Sequence, residues 1–484
     1  MAAKEPEQDG QLRRSLSARQ LAMIGIGGAI GTGLFLGSSL AISQAGPATI
    51  IAYLVCGAVA LIIAWALAEM IVVHPVAGSF GVLAHSYLGR LPGFVVRWTY
   101  WAVQCIAIGG EVVAAGIYLR FWWPQLPLWL PTVVFAVAII AVNARAVGIF
   151  GSLEYWFSMI KVSAIVVFIL LGLVLIFFGL PGKPATGFGN LVTHGGFLPN
   201  GIGGLLLAMV FAIFSFVGTE VVSVTAAEAR DPVRDIPRAA RTMLLRLSLF
   251  YLLAITIVLA VVPWTKTAQG GENIAVSPFV SVFAAAGIPA AATIMNFVVL
   301  TAALSSANAN LYLTTRMLHS LAEHRYAPAF TGKLNRSGAP ARALVLSTIG
   351  LAIAGICSFA FPDTAYVGLY GISIFGMLVV WLLILATHMR FRRVRARTGL
   401  PPSPVRLRGA PVTTVLAFLF LAGILVSTGF IDELSWSWKA GVPFFLVLIV
   451  GFVIAEKRGG FRERNDPLSA ELAARQSKRK ENLD

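Results

Sequence analysis

The sequence predicts an all-α polytopic membrane protein with twelve transmembrane helices, and three observations carry that prediction. Of 484 residues, 58% are hydrophobic and only 12% are charged, a balance that cannot close around a single water-soluble core. Crossing about 30 Å of hydrocarbon takes about 20 apolar residues per helix. The chain offers twelve such runs, beginning near Leu21, Pro47, Gly93, Leu130, Phe150, Leu198, Ala240, Phe279, Ala343, Thr364, Pro411 and Ala440. The third observation is the placement of basic residues, which collect on the cytoplasmic side of short loops. With both termini inside, that side receives Arg13, Arg14, Arg19, Arg90, Arg97, Arg145, the arginines from Arg230 to Arg246 and from Arg316 to Arg342, and seven arginines from Arg390 to Arg408. The other side holds Lys183, Lys266 and Lys439, with Arg120 at a helix end. The expected location is therefore the cytoplasmic (inner) membrane, crossed many times, with both termini cytoplasmic.

The net charge of +16 needs no nucleic acid to explain it, because the basic residues are spread as topology signals. Residues 1–18 read as a polar cytoplasmic tail, 19–392 as a ten-helix core, 393–410 as a cytoplasmic loop, 411–456 as two further helices, and 457–484 as a basic, solvated tail. That last stretch, ending "ARQSKRKENLD", has enough positive charge to hold anionic lipid at about 1 kcal/mol per basic residue. Arg13-Arg14 precedes an apolar run too long for an export signal, so the run is expected to stay as a helix. Cys56, Cys105 and Cys357 have no paired spacing and the six histidines scatter over loops and helix ends, so neither a disulfide framework nor a metal site is expected.

The first span contains "GIGGAIGTGLF", with five glycines between Gly25 and Gly33, although each interior glycine costs a helix roughly 0.5–1 kcal/mol against alanine. Five spans later "FAIFSFVGTEVVSVTAAEA", from Phe211, again sets small and polar residues and a carboxylate at mid-membrane depth. Interrupted helices at matching positions of two halves point to an inverted-repeat transporter with substrate held where both unwind. The freed backbone groups are then satisfied by ligand or water instead of lipid. N–H groups near Thr32 and Gly33 suit a carboxylate, and carbonyls near Ala29 and Ile30, and near Phe214 and Val217, face an ammonium group. The competing reading of "GGAIG" is close helix packing through small residues; the second broken helix favours the binding reading.

The stretch Ala45–Pro75, "AGPATIIAYLVCGAVALIIAWALAEMIVVHP", ends in Ala68, Glu69 and Pro75 and resembles the signature across the second span of the amino acid–polyamine–organocation superfamily, in its bacterial amino acid transporter branch. Similar matches follow at "GAIGTGLFLGS", "GEVVAAGIYLRFWWP", "EYWFSMIKVSAI", "FSFVGTEVVSVTAAEARDPVRDIPRA" and "TRMLHSLAEHRYAP". The resemblance implies a LeuT-like 5+5 inverted repeat plus two extra helices, importing an amino acid with a proton by alternating access. It implies no cofactor beyond the proton gradient as driving force, and no enzymatic activity. By position it makes Thr32 and Gly33 the carboxylate site, Phe214 a gating aromatic over the substrate, and backbone carbonyls near Ala29, Phe214 and Val217 the amine site, with Ile30, Gly31 and Ser215 also among the substrate-binding residues. One departure is Ala77 in "HPVAGSF", where the family commonly has serine.

Two intramembrane charges carry the coupling expectation. Lys161, in "MIKVSAIVV", costs on the order of 2.5–3.5 kcal/mol at mid-membrane. In proton-driven members this lysine looks like a replacement for a sodium ion, touching the first and eighth helices; the alternative is a charged strut between them. Glu111, in "AIGGEVVAAG", is the second such group, either a proton acceptor or reader of a basic substrate, or else a structural hydrogen-bond partner. Glu220 closes the interrupted part of the sixth span, as a gating group or as a cap for stray N–H groups. Asn308 and Asn310, with Ser305 and Ser306, face the interior because amides facing lipid are costly, touching substrate or only helix one. Glu69, Glu154 and Glu228 read as caps or loop ion pairs. The tenth span offers Tyr366, Tyr370 and Ser373 but no charge, which disfavours a strongly acidic or basic substrate side chain. An exchanger, or a carrier of polyamines or other amines, fits the same fold.

Overall fold

The computed structural model describes residues 30–76, 79–145, 150–220, 231–269, 277–323, 325–334, 340–457 and 466–481. Among these the backbone forms helices and turns, with one isolated bridge between Leu180 and Lys183. After an extended Gly31 come Thr32–Phe35 (α1), a kink at Leu36, and Gly37–Ala45 (α2). A tight turn at Gly46–Ala48 reverses the chain into Thr49–Ile71 (α3). Next come Ser79–Leu88 (α4), Arg90–Leu119 (α5), Trp129–Arg145 (α6), Phe150–Phe177 (α7) and Gly201–Phe214 (α8). The second half continues through Pro232–Val261 (α9), Trp264–Gln269 (α10), Pro278–Ala286 (α11), Pro289–Glu323 (α12), Ala341–Ser347 (α13), Ile349–Ala360 (α14) and Ala365–Thr398 (α15). Val412–Ser427 (α16), Ser435–Lys457 (α17) and Pro467–Glu481 (α18) complete the described chain.

Nine helical stretches among the described residues are long and apolar enough to cross a membrane, the first running from Thr32 to Ile71 through the turn, and Trp129–Ala144 and Gly201–Phe214 are shorter apolar helices. Dividing that first stretch at its turn gives the twelve expected places. Several boundaries differ from expectation for local reasons. The eighth span does not begin near Phe279: Ser277 caps α11 by accepting from the Phe279 N–H, Gly287 ends it in the left-handed region, and the long helix starts afresh at Pro289. The seventh begins at Pro232, where Asp231 accepts from the Arg234 N–H, a capping arrangement that draws the arginines expected in a loop into the first turns of a helix. The short helix α4, buried or half-buried along its whole length, adds to the twelve expected spans. Residues 467–481, expected to be a solvated tail, form α18 and pack against α4.

Packing repeats when the two halves are exchanged. The first and sixth spans pair (α2 with α8), the second and seventh (α3 with α9), and the third and eighth (α5 with α12). The fifth span, α7, packs on α9 and α12, and its counterpart five spans on, α15, packs on α3 and α5. The fourth span lies on the eighth (α6 on α12) as the ninth lies on the third (α14 on α5). This is the two-fold arrangement expected of an inverted repeat, and it brings the stretch from the extended Gly31 to Gly33 against the turns after Phe214; residues 1–29 and 221–230, the remaining parts of the two helices expected to be interrupted, lie outside the described residues. The 34 residues of α15 span about 51 Å at 1.5 Å per residue, more than the hydrocarbon thickness, so its arginine-rich end projects beyond the membrane.

At that end a polar cluster ties the elements together. Glu69 Oε2, buried on α3, accepts from the Leu407 N–H at 2.7 Å, faces His388 Nε2 of α15 at 3.1 Å and lies 3.6 Å from Arg392. His388 Nδ1 meets the Thr414 hydroxyl of α16 at 3.2 Å. Glu69 is thus the loop ion-pair member the sequence suggested, satisfied from three sides as a buried carboxylate must be. The Glu154 side chain and Glu228 lie outside the described residues.

Candidate functional site

The two interrupted stretches meet directly. Gly33 lies so near the sixth span that an added Cβ would stand 3.2 Å from Ser215 Cα and 3.3 Å from the Phe214 ring, tighter than side chains ordinarily pack, so glycine lets the two backbones approach closely. Ser215 donates its hydroxyl to the Gly33 carbonyl at 2.8 Å, and the Tyr53 hydroxyl of α3 stands 3.0 Å from the same serine oxygen. The sixth span leaves α-helical geometry after Phe214 through successive tight turns. Ser215, Phe216 and Val217 donate to carbonyls three residues earlier at 2.9–3.1 Å, and the last of these occupies the Phe214 carbonyl. Gly218 then adopts φ 97°, a conformation open to glycine but strained for side-chain-bearing residues. Glu220 folds back to accept from the Gly218 N–H at 3.1 Å and takes a hydrogen bond from the Tyr100 hydroxyl of α5 at 3.3 Å. Gln104, one turn along α5, donates to that tyrosine. Glu220 therefore both caps the unwound stretch and ties it to the third span.

On the other side of the break stands Glu111. Its carboxylate accepts from the Thr32 N–H at 3.2 and 3.3 Å and from the Ser306 hydroxyl of α12 at 3.1 Å, and Asn310 reaches that hydroxyl at 3.5 Å. Gly31 makes room for it: a Cβ there would lie 2.5 Å from Glu111 Oε1 and 2.9 Å from Ser306 Oγ. The carboxylate thus sits on the N–H that the sequence offered to a substrate carboxylate. Lys161, 1% exposed on α7, lies within electrostatic range of it. In a low-dielectric interior this places an acid and a base where each stabilises the other's charge.

Aromatic rings form the remaining wall. Phe214, half-buried, packs against Tyr370 of α15 with centroids 4.3 Å apart, and Tyr366 lies 5.4 Å beyond. The Tyr366 hydroxyl donates to the Thr32 carbonyl at 3.3 Å and that of Tyr370 to the Phe211 carbonyl at 3.0 Å. The tenth span thereby bridges α1 and α8.

The structure brings together Ile30, Gly31, Thr32, Gly33, Glu111, Phe214, Ser215, Val217 and Asn310 around the two breaks. Ala29 lies outside the described residues. Asn308 turns toward the fourth span, its amide oxygen accepting from Asn143 of α6 at 2.8 Å. Tyr53, Tyr100 and Gln104 were not singled out from sequence. Each is a polar residue in an apolar run, a signal that marks an interior face without naming the partner.

Fold and site together define a polytopic membrane carrier of the inverted-repeat class, with the extended backbone at Gly31 and the turns after Phe214 meeting beside a buried acid and a buried base. Comparison with known proteins agrees: the model of the family described as amino acid permease matches residues 20–460. The chain is 37% identical over 447 residues to a gamma-aminobutyric acid permease of Bacillus subtilis (92% of this chain, 94% of the relative). It is also 37% identical over 446 residues to a probable threonine/serine transporter of the same organism (92% and 95%), and 37% over 455 residues to the aromatic amino acid transport protein AroP of Escherichia coli K12 (94% and 98%). The chain belongs to the amino acid permease family.

Proposed function

We propose that this protein imports amino acids across the cytoplasmic membrane by proton symport, with alternating access to the site between the two interrupted helices. The observation that carries the reading is the Glu111 carboxylate seated on the Thr32 N–H, within range of Lys161. An ionised Glu111 competes for the backbone donors a substrate carboxylate needs, whereas a protonated one gives them up. Proton and substrate then bind more tightly together than apart, which is the thermodynamic content of coupling. Lys161 serves as the charge that must be neutralised or re-paired during the cycle. Phe214 and Tyr370 close over the substrate, and Glu220 links that closure to α5.

The named relatives are described as a gamma-aminobutyric acid permease, a probable threonine/serine transporter and an aromatic amino acid transport protein. Their shared chemistry is one amine and one carboxylate, which supports a zwitterionic amino acid as the substrate class here.

The test is uptake of a labelled amino acid mixture into proteoliposomes under an imposed inward proton gradient, with and without a protonophore and with preloaded unlabelled substrate. Accumulation that collapses with the protonophore is expected. Uptake that ignores the gradient but requires internal substrate would make the protein an exchanger and overturn the symport mechanism.

A further inference from the structure

The face assigned to the cytoplasm carries an ion cluster that the transport site does not use. Glu471 of α18 is held at both carboxylate oxygens by Arg395 of α15, at 2.7 and 2.9 Å, the paired geometry that makes arginine–carboxylate contacts strong. Arg395 also donates to the Pro401 carbonyl, fixing its own orientation. His74, on the linker leaving α3, places Nε2 3.5 Å from Glu471 and 2.8 Å from the Tyr87 hydroxyl of α4. Burial, opposed in part by Glu471, holds His74 below its ordinary value of 6.5, so Arg395 supplies the charge that meets Glu471 at neutral pH. One turn along α18, Arg475 donates to the Thr398 carbonyl that ends α15. Asp466, just before α18, accepts from the Leu468 N–H and the Ser469 hydroxyl. Arg395 and His74 are each 5% exposed, so this is a seated interface rather than a surface encounter.

The seat lies where two packing groups meet. α3 lies against α8 and α9, whereas α4 lies against α5, which packs on α12 and α14; α4 also touches α3 and lies on α15, which packs on both α3 and α5. α18 therefore touches the end of a helix from one group through His74, a helix of the other through α4, and the projecting end of α15 through Arg395 and Thr398.

We infer that α18 is an intramolecular brake. Docked, it holds the cytoplasmic ends of the two groups in one relative position; released, it lets them move apart. The inference rests on the alternating-access reading above, in which the groups must shift to expose the site to the cytoplasm.

The experiment uses the full chain in proteoliposomes and compares initial rates of labelled amino acid uptake at equal protein amounts. Glu471→Gln, Arg395→Glu and a chain ending at Lys457 are each expected to raise the maximal rate about tenfold or more, the fold-change of losing one hydrogen bond to a charged group, with KM unchanged. The double variant R395E/E471R, which restores the pair with reversed charge, is expected to return the rate toward wild type. Unchanged or reduced rates in Glu471→Gln, or a double variant as fast as either single one, would overturn the brake while leaving transport intact. A wild-type protein that takes up no amino acid would refute the transport reading, and the brake with it.

Discussion

Replacing Gly31 by alanine tests the central geometry with one methyl group. The backbone at Gly31 is extended, φ −134° and ψ −155°, and alanine adopts such a conformation, so the effect belongs to what the methyl meets. It would stand 2.5 Å from Glu111 Oε1 and 2.9 Å from Ser306 Oγ, well inside contact distance. The carboxylate has to move, and its hydrogen bonds to the Thr32 N–H and the Ser306 hydroxyl are the contacts at stake. Losing one hydrogen bond to a charged group costs about 1.5–3 kcal/mol, or roughly 10- to 150-fold in an equilibrium that depends on it. The assay is the pH dependence of amino acid uptake in proteoliposomes, with Gly110→Ala as the control. A methyl at Gly110 meets only Leu369 Cβ at 3.8 Å, an ordinary contact, so that variant should behave as wild type. A Gly31→Ala protein with wild-type rate and pH dependence would refute the assignment of Glu111 to this seat.

Three more substitutions probe separate links. Ser215→Ala removes the donor to the Gly33 carbonyl and leaves the Tyr53 hydroxyl without that partner; a loss of about 1–3 kcal/mol should lower the thermal unfolding midpoint in detergent, with uptake reduced alongside. Glu69→Ala leaves the Leu407 N–H, His388 and Arg392 without their shared acceptor. Leaving a buried donor without its acceptor costs about 1–3 kcal/mol, so a lower midpoint is expected, and an unaltered midpoint would show the cluster to be dispensable. Lys161→Met should make uptake insensitive to the proton gradient while preserving substrate exchange. Normal gradient-driven accumulation by that variant would remove Lys161 from coupling and leave it as a strut between helices.

The sequence by itself determined the class of fold, because hydrophobic length and arginine placement act locally: each run either can or cannot cross hydrocarbon, whatever its neighbours do. It also marked two places where regular helix gives way, at Gly31 and after Phe214, since the glycines up to Gly33 and the run FSFVGTE depart from the surrounding pattern without reference to distant residues. Where neighbouring signals compete it was less exact, as at Gly287 and Pro289, where a cap and a fresh start divide what reads as one apolar run.

Tertiary structure alone decided who meets whom. Glu111 and Thr32 are 79 positions apart, Ser215 and Gly33 182, and Tyr366 and Thr32 334. Spacing within a helix fixes the face on which a residue lies, but not the helix that face will touch or the depth at which it does so. For the same reason the Glu471 that reads as part of a solvated tail is docked on Arg395: a charge run is solvated by default, and only the folded chain supplies the buried partner that changes this.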